Sequence, residues 1–181
     1  AASRYARWLP EEGRRETWDE TVERYFNFWG ERLVNQPPAV FKALLECKEG
    51  MKDLESMGSM RAVMTAGPAL DRDNVAGFNC SYLPIDHPKA FDELMYILLC
   101  GTGVGYSVER QYVDKLPEVA EDFHESETTI VVPDSKIGWA KSFRQLVSLL
   151  YAGEVPEWDT SKVRGAGEPL KTFGGRASGP Q

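Results

Sequence analysis

The stretch Phe78–Val108, FNCSYLPIDHPKAFDELMYILLCGTGVGYSV, decides the fold class. Its first eight residues form a short apolar run, which predicts a buried strand carrying Cys80. Asp86-His87-Pro88 then marks a helix start, with proline at an early position where its missing N–H costs nothing. Phe91, Leu94, Met95 and Leu98 follow at helical spacing, and the helix runs out into Cys100-Gly101-Thr102-Gly103-Val104-Gly105. Tyr106-Ser107-Val108 reads as the next strand. Strand, helix and strand in succession argue for an α/β fold.

The glycine run itself is not a dinucleotide fingerprint. That motif needs GxGxxG following a strand and opening a helix, so that the helix N-terminus meets the pyrophosphate. Here the spacing is GxGxG, with a helix before it and a strand after it. What the glycines do predict is a close approach of backbone, either to another chain segment or to a ligand.

Upstream, Thr17-Trp18-Asp19-Glu20 spells a capping box, after which Trp18, Val22, Tyr25, Phe26 and Trp29 share one helical face. A second helix is expected from Pro38, with Phe41, Leu44, Leu45 and Leu54 facing inward and Cys47 packed. Residues 57–77 read as loop, with a short extended run at 62–65. Downstream, 114–126 reads as an acidic surface connection and Thr128–Val132 as a β-branched strand. A helix bearing Trp139, Phe143, Leu146, Val147 and Leu150 follows, then short strands at 155–159 and 161–163.

The 181 residues carry a net charge of −7, which argues against wrapping nucleic acid. No apolar run approaches the roughly 18 residues of a membrane span, and the first residues lack a secretory signal, so the expected location is cytoplasmic. The three cysteines fit no CxxC pattern, and His87 and His124 are far apart, so no metal site is expected. On the residues alone, a strand cysteine such as Cys80 is a packed core thiol unless a second thiol lies within disulfide reach.

Five segments carry a resemblance. Tyr5–Arg24 (YARWLPEEGRRETWDETVER), Gly58–Ala62 (GSMRA) with Asn79-Cys80-Ser81, Phe91–Val108, Asp134–Trp139 (DSKIGW) and Lys171–Pro180 (KTFGGRASGP) occur in one order. Together they resemble the adenosylcobalamin-dependent, class II ribonucleotide reductases. The resemblance implies a helical region over 1–57 and, over 58–181, the first part of a ten-stranded α/β barrel. It implies that Cys80 is a redox-active thiol beneath the substrate ribose, pairing with a later cysteine as a disulfide. Ser59, Asn79, Thr102 and Gly103 would lie near the substrate's phosphates or ribose, and Asp86 near an effector site for a deoxynucleotide.

By the same comparison, adenosylcobalamin and the radical cysteine are held by residues beyond Gln181. A second chain or downstream segment would complete the enzyme, and a thiol reductant such as thioredoxin would recharge it. An overall-activity cone before Tyr5 and a long insertion after the glycine-loop strand are missing from the pattern. Two other readings remain: a noncatalytic nucleotide-binding or assembly fragment, and an iron-dependent reductase, whose barrel motifs are shared.

Overall fold

The computed structural model describes residues 5–170 and 176–180. The chain forms two compact units with the break between Phe78 and Asn79.

In the first unit a short antiparallel hairpin, β1 (Trp8–Leu9) and β2 (Arg14–Arg15), leads into α1 (Trp18–Arg32). The capping box is present. Thr17 Oγ1 accepts from the Glu20 N–H at 3.2 Å, and Glu20 Oε2 accepts from the Thr17 N–H at 2.7 Å. Two otherwise unpaired amides at the helix start are thereby satisfied. Val22 and Phe26 pack with Met51 and Val63 into one core cluster, which Trp18, Tyr25 and Leu44 border. Phe28 joins Ala66, Ala69, Leu70 and Ala76 in a second. Gly30 lies within α1.

The second helix, α2 (Pro38–Lys52), starts at the expected proline. Its inward stripe differs from the expectation. Leu44 and Met51, seven residues apart, face the core, whereas Phe41, Leu45 and Leu54 are exposed. Cys47 is exposed too, and not packed. Leu54 takes a left-handed φ of 63° just past the helix end, a position that usually selects glycine.

The region read as loop is instead a chain of helical turns: α3 (Met60–Thr65), α4 (Pro68–Arg72) and a 3-10 turn at Asn74–Gly77. Each is too short to display a helical period, but each has a start signal. Ser59 caps the first, Pro68 opens the second, and Asp73 Oδ1 accepts from the Val75 N–H at 3.0 Å in the third.

The second unit repeats one device twice. Strand β3 (Cys80–Pro84), helix α5 (Lys89–Leu99) and strand β4 (Gly103–Ser107) form a parallel βαβ unit. After a one-turn helix, α6 (Arg110–Val113), come β5 (His124–Val131), α7 (Lys136–Tyr151) and β6 (Glu154–Asp159), again with parallel strands. A helical crossover is what parallel neighbours require. The two helices pack on each other, and the buried Asp92 of α5 accepts from the Arg144 guanidinium of α7 at 2.6 Å.

Strand β5 starts at His124, inside the stretch expected to be an irregular connection, and 161–163 is a turn with no strand. Among the described residues the six strands lie in three two-stranded sheets, a mixed α/β architecture. No helix among them is long and apolar enough to cross a membrane.

Candidate functional site

The parallel register of β3 and β4 brings the chemistry-bearing residues together. Cys80 lies opposite Gly103, and Tyr82 lies opposite Gly105. Side chains alternate between faces along a strand, so Cys80, Tyr82 and their two glycine partners occupy one face. That face is open: Cys80 is exposed and Tyr82 is 60% exposed, while Ser81 and Leu83 on the other face are half-buried. The buried strand cysteine expected from the apolar run is therefore a surface thiol on its sheet. Apolar flanks predicted burial correctly for one face of β3, but they carry no information about what covers the other.

The glycine loop owes its shape to the end of α5. Gly101 adopts a positive φ of 82°, which turns the chain from helix to strand. The Gly103 N–H then donates to the Asn79 carbonyl at 2.9 Å, and Ser81 Oγ donates to the Gly103 carbonyl at 3.2 Å. Gly103 is thus held by backbone and hydroxyl contacts on both sides of Cys80. Among the described residues, a methyl group at Gly103 would meet only the Asn79 carbonyl, at 3.4 Å.

Thr102 sits inside the unit at 1% exposure, its N–H donating to the Ile97 carbonyl at 3.3 Å. Its side chain is not on the open face. Cys100 is also fully buried, and Lys136 Nζ at the start of α7 lies 3.3 Å from its sulfur. This contact ties the glycine loop to the DSKIGW segment, and no sequence signal pointed to it. In that segment Ser135 Oγ caps α7 by accepting from the Gly138 N–H at 2.9 Å. A Cβ at Gly138 would lie 2.6 Å from the Pro133 carbonyl, so only glycine fits.

At the far end of β3, Asp86 pairs with Lys115 at 3.7 Å and lines a cavity of about 250 Å³ together with Leu83, His87, Lys89 and Glu93. His87 acts as a helix-start residue, its Nδ1 accepting from the Lys89 N–H at 3.1 Å. Asp86 and Cys80 therefore occupy opposite ends of one strand. Ser59 belongs to the other unit, where its hydroxyl accepts from the Ala62 N–H at 3.4 Å and caps α3. In KTFGGRASGP, residues 171–175 lie outside the described residues. Arg176 donates to the Gly167 carbonyl at 2.8 Å, and Pro169 bridges Arg176 in antiparallel fashion.

Among the described residues no group of three or more His, Cys, Asp or Glu side chains is arranged to hold a metal ion. The cavity beside Asp86 falls below the ~300 Å³ at which drug-sized pockets begin, so it does not fit a corrin macrocycle.

No protein-family model matches the chain. The adenosylcobalamin-dependent ribonucleoside-triphosphate reductase of Lactobacillus leichmannii is 28% identical over 97% of the chain, a match covering 32% of that protein. The enzyme of the same description from Euglena gracilis is 28% identical over 93% of the chain and 25% of its own length. A crystal structure of a B12-dependent, class II ribonucleotide reductase superposes with a TM-score of 0.76 at 27% identity, covering 97% of the chain. The chain is similar, nearly end to end, to class II ribonucleotide reductases. It spans between a quarter and about a third of the length of these relatives. The class II likeness covers both units, so the capped helices of the first and the βαβ pair of the second fall within it.

Proposed function

We propose that this chain forms the Cys80-bearing part of an adenosylcobalamin-dependent ribonucleoside-triphosphate reductase. One observation carries the reading: a surface thiol stands opposite glycine in a parallel βαβ unit, in a chain similar to such reductases over 97% of its length. The glycine leaves room for a sugar to settle against the sulfur, which a side chain at Gly103 would occupy.

In this reading a ribonucleotide radical at C3′ loses its 2′-hydroxyl as water. Cys80 and a second thiol supply two electrons and two hydrogens and end as a disulfide. The balance is one ribonucleotide and two thiols giving one deoxyribonucleotide, one disulfide and water. The disulfide must then be reduced by an external dithiol such as thioredoxin. The resemblance pairs Cys80 with a cysteine later in the chain, and the later Cys100 is buried, so the partner thiol comes from a second chain or a further segment. The same source supplies the remaining strands of a ten-stranded barrel and the surface for adenosylcobalamin, which supplies the initiating radical when bound.

Asn79 and Gly103 contribute backbone groups beside the ribose, and Thr102 supports the loop from beneath. Ser59 keeps its role as a phosphate contact on the resemblance alone, so the catalytic region is taken from residue 58 onward. Asp86, past the other end of β3 from Cys80, keeps its place near a deoxynucleotide effector on the resemblance alone.

The test is turnover of CTP by the complete enzyme with adenosylcobalamin and a dithiol, comparing wild type with Cys80→Ser. Loss of dCTP formation with the thiol gone, together with a Cys80 disulfide that accumulates when the dithiol is omitted, is the expected result. Undiminished turnover by the serine variant would sink the proposal.

A further inference from the structure

We propose that Cys100 and Lys136 form a redox latch: a peroxide joins their side chains through a sulfur–nitrogen bond, and a dithiol opens it again. The latch is independent of the role assigned to Cys80. Cys100 caps the C-terminal end of α5 and is fully buried, and Lys136 is the first residue of α7. The two lie 36 residues apart in sequence, yet Lys136 Nζ is 3.3 Å from Cys100 Sγ. Tyr96 stands one helical turn before Cys100, and the same Nζ sits 5.8 Å from the centre of its ring. One face of α5 therefore holds the amine between a sulfur and an aromatic ring.

This is a weak way to stabilise a lysine. An ammonium loses hydration on entering a half-buried position, and sulfur is a poor acceptor in return. What the pair does have is matched reactivity. The thiolate is the form of cysteine that attacks a peroxide, and a cation in contact is the partner that form requires. The amine is a nucleophile, and it already stands within the roughly 3–3.5 Å from which bonds form.

The steps balance. The Cys100 thiolate attacks one oxygen of hydrogen peroxide, the O–O bond breaks, and the departing hydroxide takes a proton from the Lys136 ammonium. A sulfenic acid, a neutral amine and one water result. The amine nitrogen then attacks the sulfur, the S–O bond breaks, and the hydroxide leaves with a proton from nitrogen as a second water. Sulfur is oxidised by two electrons and the peroxide is reduced by two. On reopening, a thiolate attacks the sulfur, the S–N bond breaks as nitrogen takes a proton, and a second thiol resolves the mixed disulfide. Burial favours the latch over rival products. Bulky thiols are kept from the sulfenic acid, whereas peroxide, close to water in size, needs only a small local opening. Once closed, the bond ties the turn at Gly101, with its φ of 82°, to the start of α7.

The test treats the reduced complete enzyme with hydrogen peroxide, blocks remaining thiols with iodoacetamide on denaturation, and maps the peptides by mass spectrometry. The Cys100 and Lys136 peptides should appear joined, lighter than their sum by two hydrogens, and dithiothreitol added before the digest should separate them. Lys136→Arg keeps the cation but removes the nucleophile, because a guanidinium does not give up its proton. In that variant the link should vanish and Cys100 should carry oxygen instead. Cys80→Ser should form the link as wild type does, whatever that variant does to dCTP formation. Three results would each overturn the latch: Cys100 recovered as an alkylated thiol while Cys47 and Cys80 are oxidised, oxygen retained on Cys100 in the wild type, or a link that persists in Lys136→Arg.

Discussion

Cys80 and Gly103 face each other across the parallel β3–β4 pair, and the glycine adds no side chain to the face that carries the thiol. Gly103→Ala tests this relationship. The backbone there needs no positive φ, and the added methyl meets the Asn79 carbonyl at 3.4 Å, a contact that a slight shift relieves. Alanine also has the better strand conformational entropy, so stability should change by no more than about 1 kcal/mol. Alkylation of Cys80 by iodoacetamide should proceed at nearly the wild-type rate, because the methyl comes within 4 Å of the Asn79 carbonyl and of no atom of Cys80. A several-fold slower reaction would show that the reagent reaches the sulfur over Gly103.

The three cysteines should separate by reactivity. Cys47 and Cys80 are exposed and Cys100 is buried against Lys136. Mass spectrometry after brief native alkylation should find labels at 47 and 80 and none at 100, with the third label appearing only on denaturation. Early modification of Cys100 would contradict the packing of the glycine loop.

This difference among thiols marks where the sequence was legible and where it was not. The capping box at Thr17–Glu20, the proline start of α2 and the strand–helix–strand order of 78–108 are local signals, each set by residues within a turn or two of one another, and each is present. Exposure is a tertiary property. Cys47 and Leu45 lie in an apolar helix whose inward stripe is chosen by Leu44 and Met51, and Cys80 lies on the uncovered face of a half-buried strand. The turns of 60–77 escaped because five or six residues cannot show a period. The register that sets Cys80 opposite Gly103 was not legible, since a register between strands separated by a helix leaves no mark in either strand. Lys136 against Cys100 joins two βαβ units and had no signal at all.

The start of α1 should be sensitive to acid. The Arg14 side chain and the Thr17 amide hold the Glu20 carboxyl down to about 2. Burial pushes Glu16 up, but hydrogen bonds from Arg24 and the Arg7 amide outweigh it and leave its carboxyl below the ordinary value. Both groups have folded pKa values below their unfolded ones. Their contribution is thus complete above about pH 4.5 and is lost as pH falls toward 2. Helical circular dichroism should decline over that window. Thr17→Ala, which removes the cap, should cost about 1 kcal/mol in chemical denaturation. Glu20→Gln should flatten the acid transition, and a transition identical to wild type would show that α1 does not depend on this carboxylate.

The ion pair between α5 and α7 should behave asymmetrically. Asp92 is 3% exposed, and one of its oxygens, Oδ2, accepts from both Nε and a terminal nitrogen of Arg144, at 3.0 and 2.6 Å. Its other oxygen, Oδ1, is buried without a hydrogen-bond partner. Arg144 is about half exposed and can rehydrate when its partner is removed. Arg144→Ala therefore leaves a buried carboxylate with no compensation and should cost about 2 kcal/mol, discounted for the exposed arginine. Asp92→Ala removes the poorly satisfied group together with its desolvation penalty and should cost less. The double variant should be more stable than Arg144→Ala alone, since the charge that made the single loss expensive is gone. Urea midpoints of the three variants measure this. A double variant less stable than either single one would mean that Asp92 supports the α5–α7 contact by packing and not through its charge.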